Sequence, residues 1–233
     1  MLLEVIALSP EDAKLAARGG ADRIELVSAI EEGGLTPAMA VMEEIAAEAA
    51  IPVHVMIRPH SRDFHYSEED MGQMVREMKS LRFPCIGAYV LGVLTAEQKV
   101  DEEKLKRLLD AADGVPVTFH RAFDEARNLE EAYETLSRYP QIRTVLTSGG
   151  KPSVLAAVDP IKELVRQSRK GSGSSGPEIM AGSGLTLASV SDFVKQTGVR
   201  AVHFGSGVRQ NGRSQAPIDP ARLAALLAVL KPQ

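Results

Sequence analysis

Short apolar segments rich in strand-forming residues alternate with longer segments of helical period, and this pairing repeats eight times along the chain. The strand candidates span residues 2–7, 23–27, 53–58, 86–93, 116–120, 144–147, 178–181 and 201–204. Each is followed by a helix candidate, at 10–18, 37–49, 68–81, 101–112, 129–138, 152–169, 185–196 and 219–230. A strand that meets a helix before the next strand pairs with it in parallel, because the crossover returns the chain to the same edge. Eight such units predict one closed (β/α)8 barrel of the TIM type, with parallel strands, as a single domain over residues 1–233. The competing arrangement, an open doubly wound sheet, requires a glycine-rich phosphate turn after the first strand, and the chain has Ala7-Leu8-Ser9-Pro10 there.

Local signals sharpen several boundaries. Thr36 before Pro37, Ser67 before Glu68, Glu69 and Asp70, and Asp219 before Pro220 read as helix starts, with a capping side chain followed by proline or carboxylates. The stretch KGSGSSGPE at 170–178 falls between the sixth helix and the seventh strand. Active-site loops of a barrel lie at its other end, so this stretch reads as a mobile connector without a functional role.

Composition narrows the function classes. With 44% hydrophobic and 25% charged residues, the chain can bury a sizeable core. A formal net charge of -4, 4% aromatics and no Trp supply neither the basic surface nor the stacking platforms that nucleic acid requires. No apolar stretch approaches the roughly 20 residues of a membrane helix, and the first residues lack the basic region of a secretory leader, so a cytoplasmic location is expected. The only cysteine, Cys85, precludes an intrachain disulfide and a zinc site of several thiolates. Chemistry here must rest on carboxylates, imidazoles, guanidinium groups and backbone amides.

Side chains alternate along a strand, so in a barrel the aliphatic parity faces the helices and the other lines the interior. Leu3, Val5 and Ala7 set Glu4 inward, and Ile24 and Leu26 set Glu25 inward. Val53, Val55 and Ile57 leave His54, Met56 and Arg58 inside. Val117 and Phe119 do the same for Thr118 and His120, and Val202 and Phe204 for His203. Acids, an arginine and imidazoles from five strands therefore converge, and buried charges must pair or face a wet cleft. Barrel enzymes draw their catalytic residues from the ends of several strands, which makes Glu4, Glu25, Arg58, His120 and His203 the catalytic candidates.

The glycines cluster late. Strand seven runs into Gly182-Ser183-Gly184 and strand eight into Gly205-Ser206-Gly207, the two loops where barrels commonly bind phosphate through backbone amides. After strand six, Ser148 and Gly149 add further candidate donors, with Lys151 the only lysine near that face. Lys151 follows the loop rather than sitting on a strand, which disfavours a Schiff-base aldolase.

These segments resemble the CutC family, often labelled copper homeostasis proteins. The matching stretches are LEV at 3–5, GGADRIEL at 19–26, EGGLTP at 32–37, VMIRP at 55–59, Asp63, Phe64, Tyr66 and Ser67, VTFHRAFD at 117–124 and LTSGG at 146–150. The resemblance implies a TIM-like barrel, a cytoplasmic location, a homo-oligomer and copper as the bound metal. Family members carry cysteines directly after the LEV and RIEL motifs, the thiols suited to Cu(I). This chain has Ile6 and Val27 at those positions. Met56 and Met180 remain as thioethers, and Glu4, Glu25, His120 and His203 as ligands for a harder divalent ion.

Two functions follow as expectations. The first is an enzyme acting on a small anionic, phosphorylated metabolite, with Glu25 and Glu4 as general acid and base. His120 would then be proton donor or oxyanion stabiliser, Arg58 an anion clamp and the glycine turns the phosphate site; isomerisation, epimerisation and hydrolysis all suit such a set. The alternative is a cytosolic copper-binding or trafficking protein without catalysis. A third reading, an interaction scaffold, would leave the polar interior without a role.

Overall fold

The computed structural model describes residues 1–169 and 176–231, so most of the Gly/Ser connector, residues 170–175, lies outside the described residues. The strands are β1 (Leu2–Ala7), β2 (Arg23–Leu26), β3 (Val53–Met56), β4 (Ile86–Leu91), β5 (Val117–Phe119), β6 (Ile142–Thr147), β7 (Glu178–Ala181) and β8 (Ala201–Phe204). They pair in sequence order, and β8 pairs with β1 to close the barrel. The helices are α1 (Pro10–Arg18), α2 (Met39–Glu48), α3 (Glu68–Ser80), α4 (Glu102–Ala112), α5 (Leu129–Ser137), α6 (Val158–Ser168), α7 (Val190–Thr197) and α8 (Pro220–Leu230).

The helix starts follow their caps. Ser67 and Asp70 form a reciprocal capping box at α3, and the Asp219 side chain accepts from the amides of Ala221 and Arg222 at α8. Thr36 does not cap α2, which begins only at Met39. Its amide donates to the Arg58 carbonyl and its hydroxyl accepts from the Arg58 amide (2.9 Å), tying the loop after β2 to the end of β3. The expected sixth helix divides into a 3-10 turn at Val154–Ala156 and α6. Pro160 explains the break: without an N–H it is accommodated in the first turn of a helix, not in the interior of a longer one. The seventh starts late because Thr186 and Ser189 exchange backbone-to-hydroxyl bonds in a turn ahead of Val190.

The aliphatic parity packs outward as expected: Leu3, Val5, Ile24, Leu26, Val55, Phe119 and Val202 join the core between barrel and helices. Two smaller apolar groups occupy the interior. One is Leu2, Leu146, Met180 and Ala201; the other is Ile6, Val27, Met56 and Val90. Along β1 the inward positions run Leu2, Glu4, Ile6, which sets a charged layer between two dry ones.

A second buried ion pair ties the barrel shut where the loop after β8 returns to α8. Arg209 is fully buried and donates to Asp12 (2.8 Å) and to the carbonyls of Ile6 (2.8 Å) and Ala216 (2.6 Å). Arg209→Met would leave the Asp12 carboxylate buried with only backbone donors, Leu8 and Ile218. Breaking one side of a buried pair costs about 3–5 kcal/mol, so a matching fall in urea-unfolding stability is expected for this variant.

Candidate active site

Strand register assembles the charged layer. Glu4 pairs across to His203 on one side and Arg23 on the other, while Glu25 pairs with His54. The Arg23 Nε donates to Glu4 Oε2 at 2.6 Å, and the His203 Nδ1 donates to Glu4 Oε1 at 2.8 Å. On its far side the His203 Nε2 stands 3.8 Å from Glu25 Oε2. The result is a chain from Arg23 through Glu4 and His203 to Glu25.

The two carboxylates are held in opposite states. Burial pushes the Glu4 pKa upward, but the His203 hydrogen bond and the Arg23 charge outweigh it and hold Glu4 at about 2. Burial pushes Glu25 up to about 7; Glu4 adds to the rise, and the His203 charge opposes it. Burial also works against a charged His203, yet the facing carboxylates Glu25 and Glu4 together raise it above the ordinary imidazole value. His54, dominated by burial, is held down at about 4 despite a Glu4 oxygen 3.4 Å away. The split expected of two neighbouring buried carboxylates is present, and the His203 hydrogen bond together with the Arg23 charge keeps Glu4 the ionised member.

His120 occupies the turn after β5. Its Nδ1 accepts from the Ala122 amide at 3.1 Å, which places the proton on Nε2, and among the described residues no group hydrogen-bonds to Nε2. Burial, with the neighbouring Arg58 charge, lowers its pKa to about 3, so the ring is neutral at physiological pH. Gly92 is required beside it, because a Cβ there would lie 2.6 Å from Nδ1. Arg58 rises from the end of β3, where the carbonyls of Glu32 (3.3 Å), Gly34 (3.4 Å) and Ser61 (3.4 Å) hold its guanidinium over the Phe64 ring at 4.6 Å.

A cavity of about 500 Å³ opens above this layer, at the end where the strands run into their following loops. Glu25, Arg58, His120 and His203 line it, as do Ser183, Gly184, Gly205, Ser206 and Gly207. Glu4 does not. Both its oxygens are engaged and it is fully buried beneath His203, so it orients the imidazole and cannot act as the general base expected of it. Ser148, Gly149 and Gly182 also stand apart. The Ser148 amide donates to Asp124, Gly149 to the Thr147 hydroxyl and Gly182 to the Thr147 carbonyl. The loop after β6 thus already holds an anion, the Asp124 carboxylate. By contrast, among the described residues the amides of Ser183, Gly184, Ser206 and Gly207 donate to no protein acceptor. Gly184 adopts a φ of +85°, and a Cβ there would meet Ser153 Oγ at 2.2 Å, so this turn needs glycine.

Sequence reasoning missed several contributors. Arg23 shares the inward parity of Glu25 and was legible by the same rule. Arg121 and Asp124, which form a 2.8 Å pair on the cavity wall, sit in the turn after β5, where no strand parity applies.

The donor set can be tested against metals. Among the described residues, Glu4, Glu25 and His203 offer ligand atoms within 4.8 Å of one another. His120 is not part of that group. Arg23 already neutralises Glu4, and the His203 Nδ1 is spent on it, so a cation would displace an existing ion pair. For Cu(I) the fit is poorer. Ile6 and Val27 meet Met56 and Val90 in an apolar cluster, and the Met180 sulfur faces the Arg23 guanidinium at 3.3 Å. Cys85 precedes β4 at the opposite end of the barrel, with burial raising its thiol pKa.

Known proteins place the chain. The CutC family model matches residues 1–208. A CutC protein from Salmonella enteritidis is 39% identical over 207 residues, covering 89% of this chain and 80% of its own. The crystal structure of CutC from Streptococcus agalactiae, whose name links it to copper homeostasis, superposes with a TM-score of 0.78 at 28% identity, over 87% of this chain and 97% of that one. Phosphoribosyl anthranilate isomerase from Thermococcus kodakaraensis shares the fold at a TM-score of 0.62 and 16% identity, over 100% of this chain and 99% of that one. A family match along most of the chain, close relatives of that name and a shared barrel agree: the chain belongs to the CutC family.

Proposed function

We propose that the barrel is an enzyme that performs acid–base chemistry on a small phosphorylated metabolite. The observation that carries this reading is Glu25, a buried carboxyl on the cavity wall with one oxygen unpartnered and a pKa near 7. A copper carrier has no use for a carboxyl in that state, whereas a proton-transfer catalyst works best with a group poised near the operating pH. Glu25 exchanges the proton. His203 lies behind it, oriented by Glu4, and His120 presents a neutral N–H. Ser183, Gly184, Gly205, Ser206 and Gly207 form the phosphate site, and Arg58 adds a guanidinium on the cavity wall, while Arg121 is paired with Asp124. Copper trafficking stays the alternative that the family name suggests; among the described residues no thiolate lines the cavity to support it.

Calorimetric titration with inorganic phosphate tests the anion site. Phosphate is expected to bind the parent protein, and Ser206→Asp, at an exposed position, to weaken it at least tenfold by opposing charge with charge. Absence of binding, or equal binding by both proteins, would contradict the assignment.

A further inference from the structure

Among the described residues, Glu25, Arg58 and His120 line the cavity with a buried polar atom that no protein group satisfies, and of these Glu25 and His120 are the two whose protonation is shifted by their surroundings. They are different in kind. The Glu25 Oε1 can accept a proton, while the His120 ring, pinned through Nδ1 by the Ala122 amide, offers one Nε2–H. At neutral pH an imidazole this hard to protonate is not a reservoir of acid for expelling a leaving group. It suits a neighbouring oxygen on which negative charge develops, because a neutral donor stabilises that charge without first giving its proton away. No lysine lines the cavity among the described residues, so carbonyl activation through a Schiff base has no nucleophile there.

Resting on the phosphate reading above, we infer that the substrate is a phosphorylated α-hydroxy carbonyl compound and that the reaction is a one-base proton transfer between its adjacent carbons. The Glu25 carboxylate takes the proton from the carbon bearing the hydroxyl. The C–H electron pair becomes the new C=C bond, and the carbonyl π pair moves onto oxygen, where the His120 Nε2–H stabilises the enediolate. Glu25 then returns the proton to the former carbonyl carbon, and the hydroxyl proton passes to the other oxygen as the new carbonyl forms. Aldose and ketose interconvert with no oxidant, reductant or co-substrate.

Three probes separate this inference from the phosphate reading: inorganic phosphate, 2-hydroxyethyl phosphate and phosphoglycolohydroxamate. The last shares the phosphate and the two-carbon skeleton of the second but ends in a planar hydroxamate shaped like an enediolate. Phosphoglycolohydroxamate is expected to bind at least 100-fold more tightly than 2-hydroxyethyl phosphate. If both bind alike while inorganic phosphate also binds, the enolisation chemistry is wrong and the phosphate site stands. If none of the three binds, the phosphate reading fails and takes this inference with it.

Discussion

Replacing Glu25 with Gln is expected to lower the rate of α-hydrogen exchange between D2O and a phosphorylated hydroxy carbonyl substrate by about 10²- to 10⁴-fold, the usual contribution of a positioned general base. The amide is nearly isosteric, adds no charge, and removes the carboxylate assigned to take the carbon-bound proton. Phosphate affinity should stay within about threefold of the parent, since the glycine turns are untouched. In the parent protein the exchange rate should climb with pH through about 7, as the Glu25 carboxyl ionises. NMR of the substrate carbon positions reads both effects. An exchange rate unchanged by the substitution would remove Glu25 from the mechanism.

The second large effect is on stability and comes from Arg23. Arg23→Met leaves the fully buried Glu4 carboxylate with the His203 hydrogen bond and the His54 ring 3.4 Å away, and removing one side of a buried ion pair costs about 3–5 kcal/mol. The pH dependence follows from the sign of the Glu4 shift. Its pKa is held at about 2 in the folded protein against 4.5 ordinarily, so its contribution is present above pH 4.5 and lost as pH falls toward 2. Without Arg23 the carboxyl takes up a proton more readily, and the penalty relative to the parent should shrink on acidification. Urea unfolding at pH 7 and pH 4 measures this, with the larger difference at pH 7. A difference independent of pH would show that Arg23 acts through packing alone.

The fold was largely legible because eight apolar strands each precede a helix, a rhythm that admits few topologies. Parity then placed Glu4, Glu25, Arg58, His120 and His203 inside, where the structure has them. Parity identifies a face but not a depth. Glu4 and Glu25 look equivalent in sequence, yet the stagger of neighbouring strands sets Glu4 beside Arg23 and His203, below the cavity, and leaves Glu25 on its wall. The loops were less legible. Glycine and serine content alone could not distinguish the turn after β6, whose Ser148 and Gly150 amides serve the Asp124 carboxylate, from the turns after β7 and β8, where the amides of Ser183, Gly184, Ser206 and Gly207 meet no acceptor among the described residues. That distinction depends on a side chain more than 20 residues away in sequence, arriving on a 3-10 turn at Arg121–Glu125.

The copper expectation attached to the family divides along the same lines. The positions at which the resemblance implies cysteines hold Ile6 and Val27, which pack on Met56 and Val90 in an apolar cluster. The acid, imidazole and guanidinium side chains are assembled into one electrostatically coupled layer, Arg23, Glu4, His203 and Glu25. A site without thiolates that holds proton-transfer groups supports the proposed chemistry on an oxygen-rich anion over Cu(I) binding.

The most direct measurement is a crystal structure of the protein soaked in inorganic phosphate. The expected result is an ordered anion within hydrogen-bonding distance of the amides at Ser183 and Gly184 and at Ser206 and Gly207, above Glu25 and His120. Phosphate ordered only elsewhere on the surface, with those amides unoccupied at saturating concentration, would contradict the account.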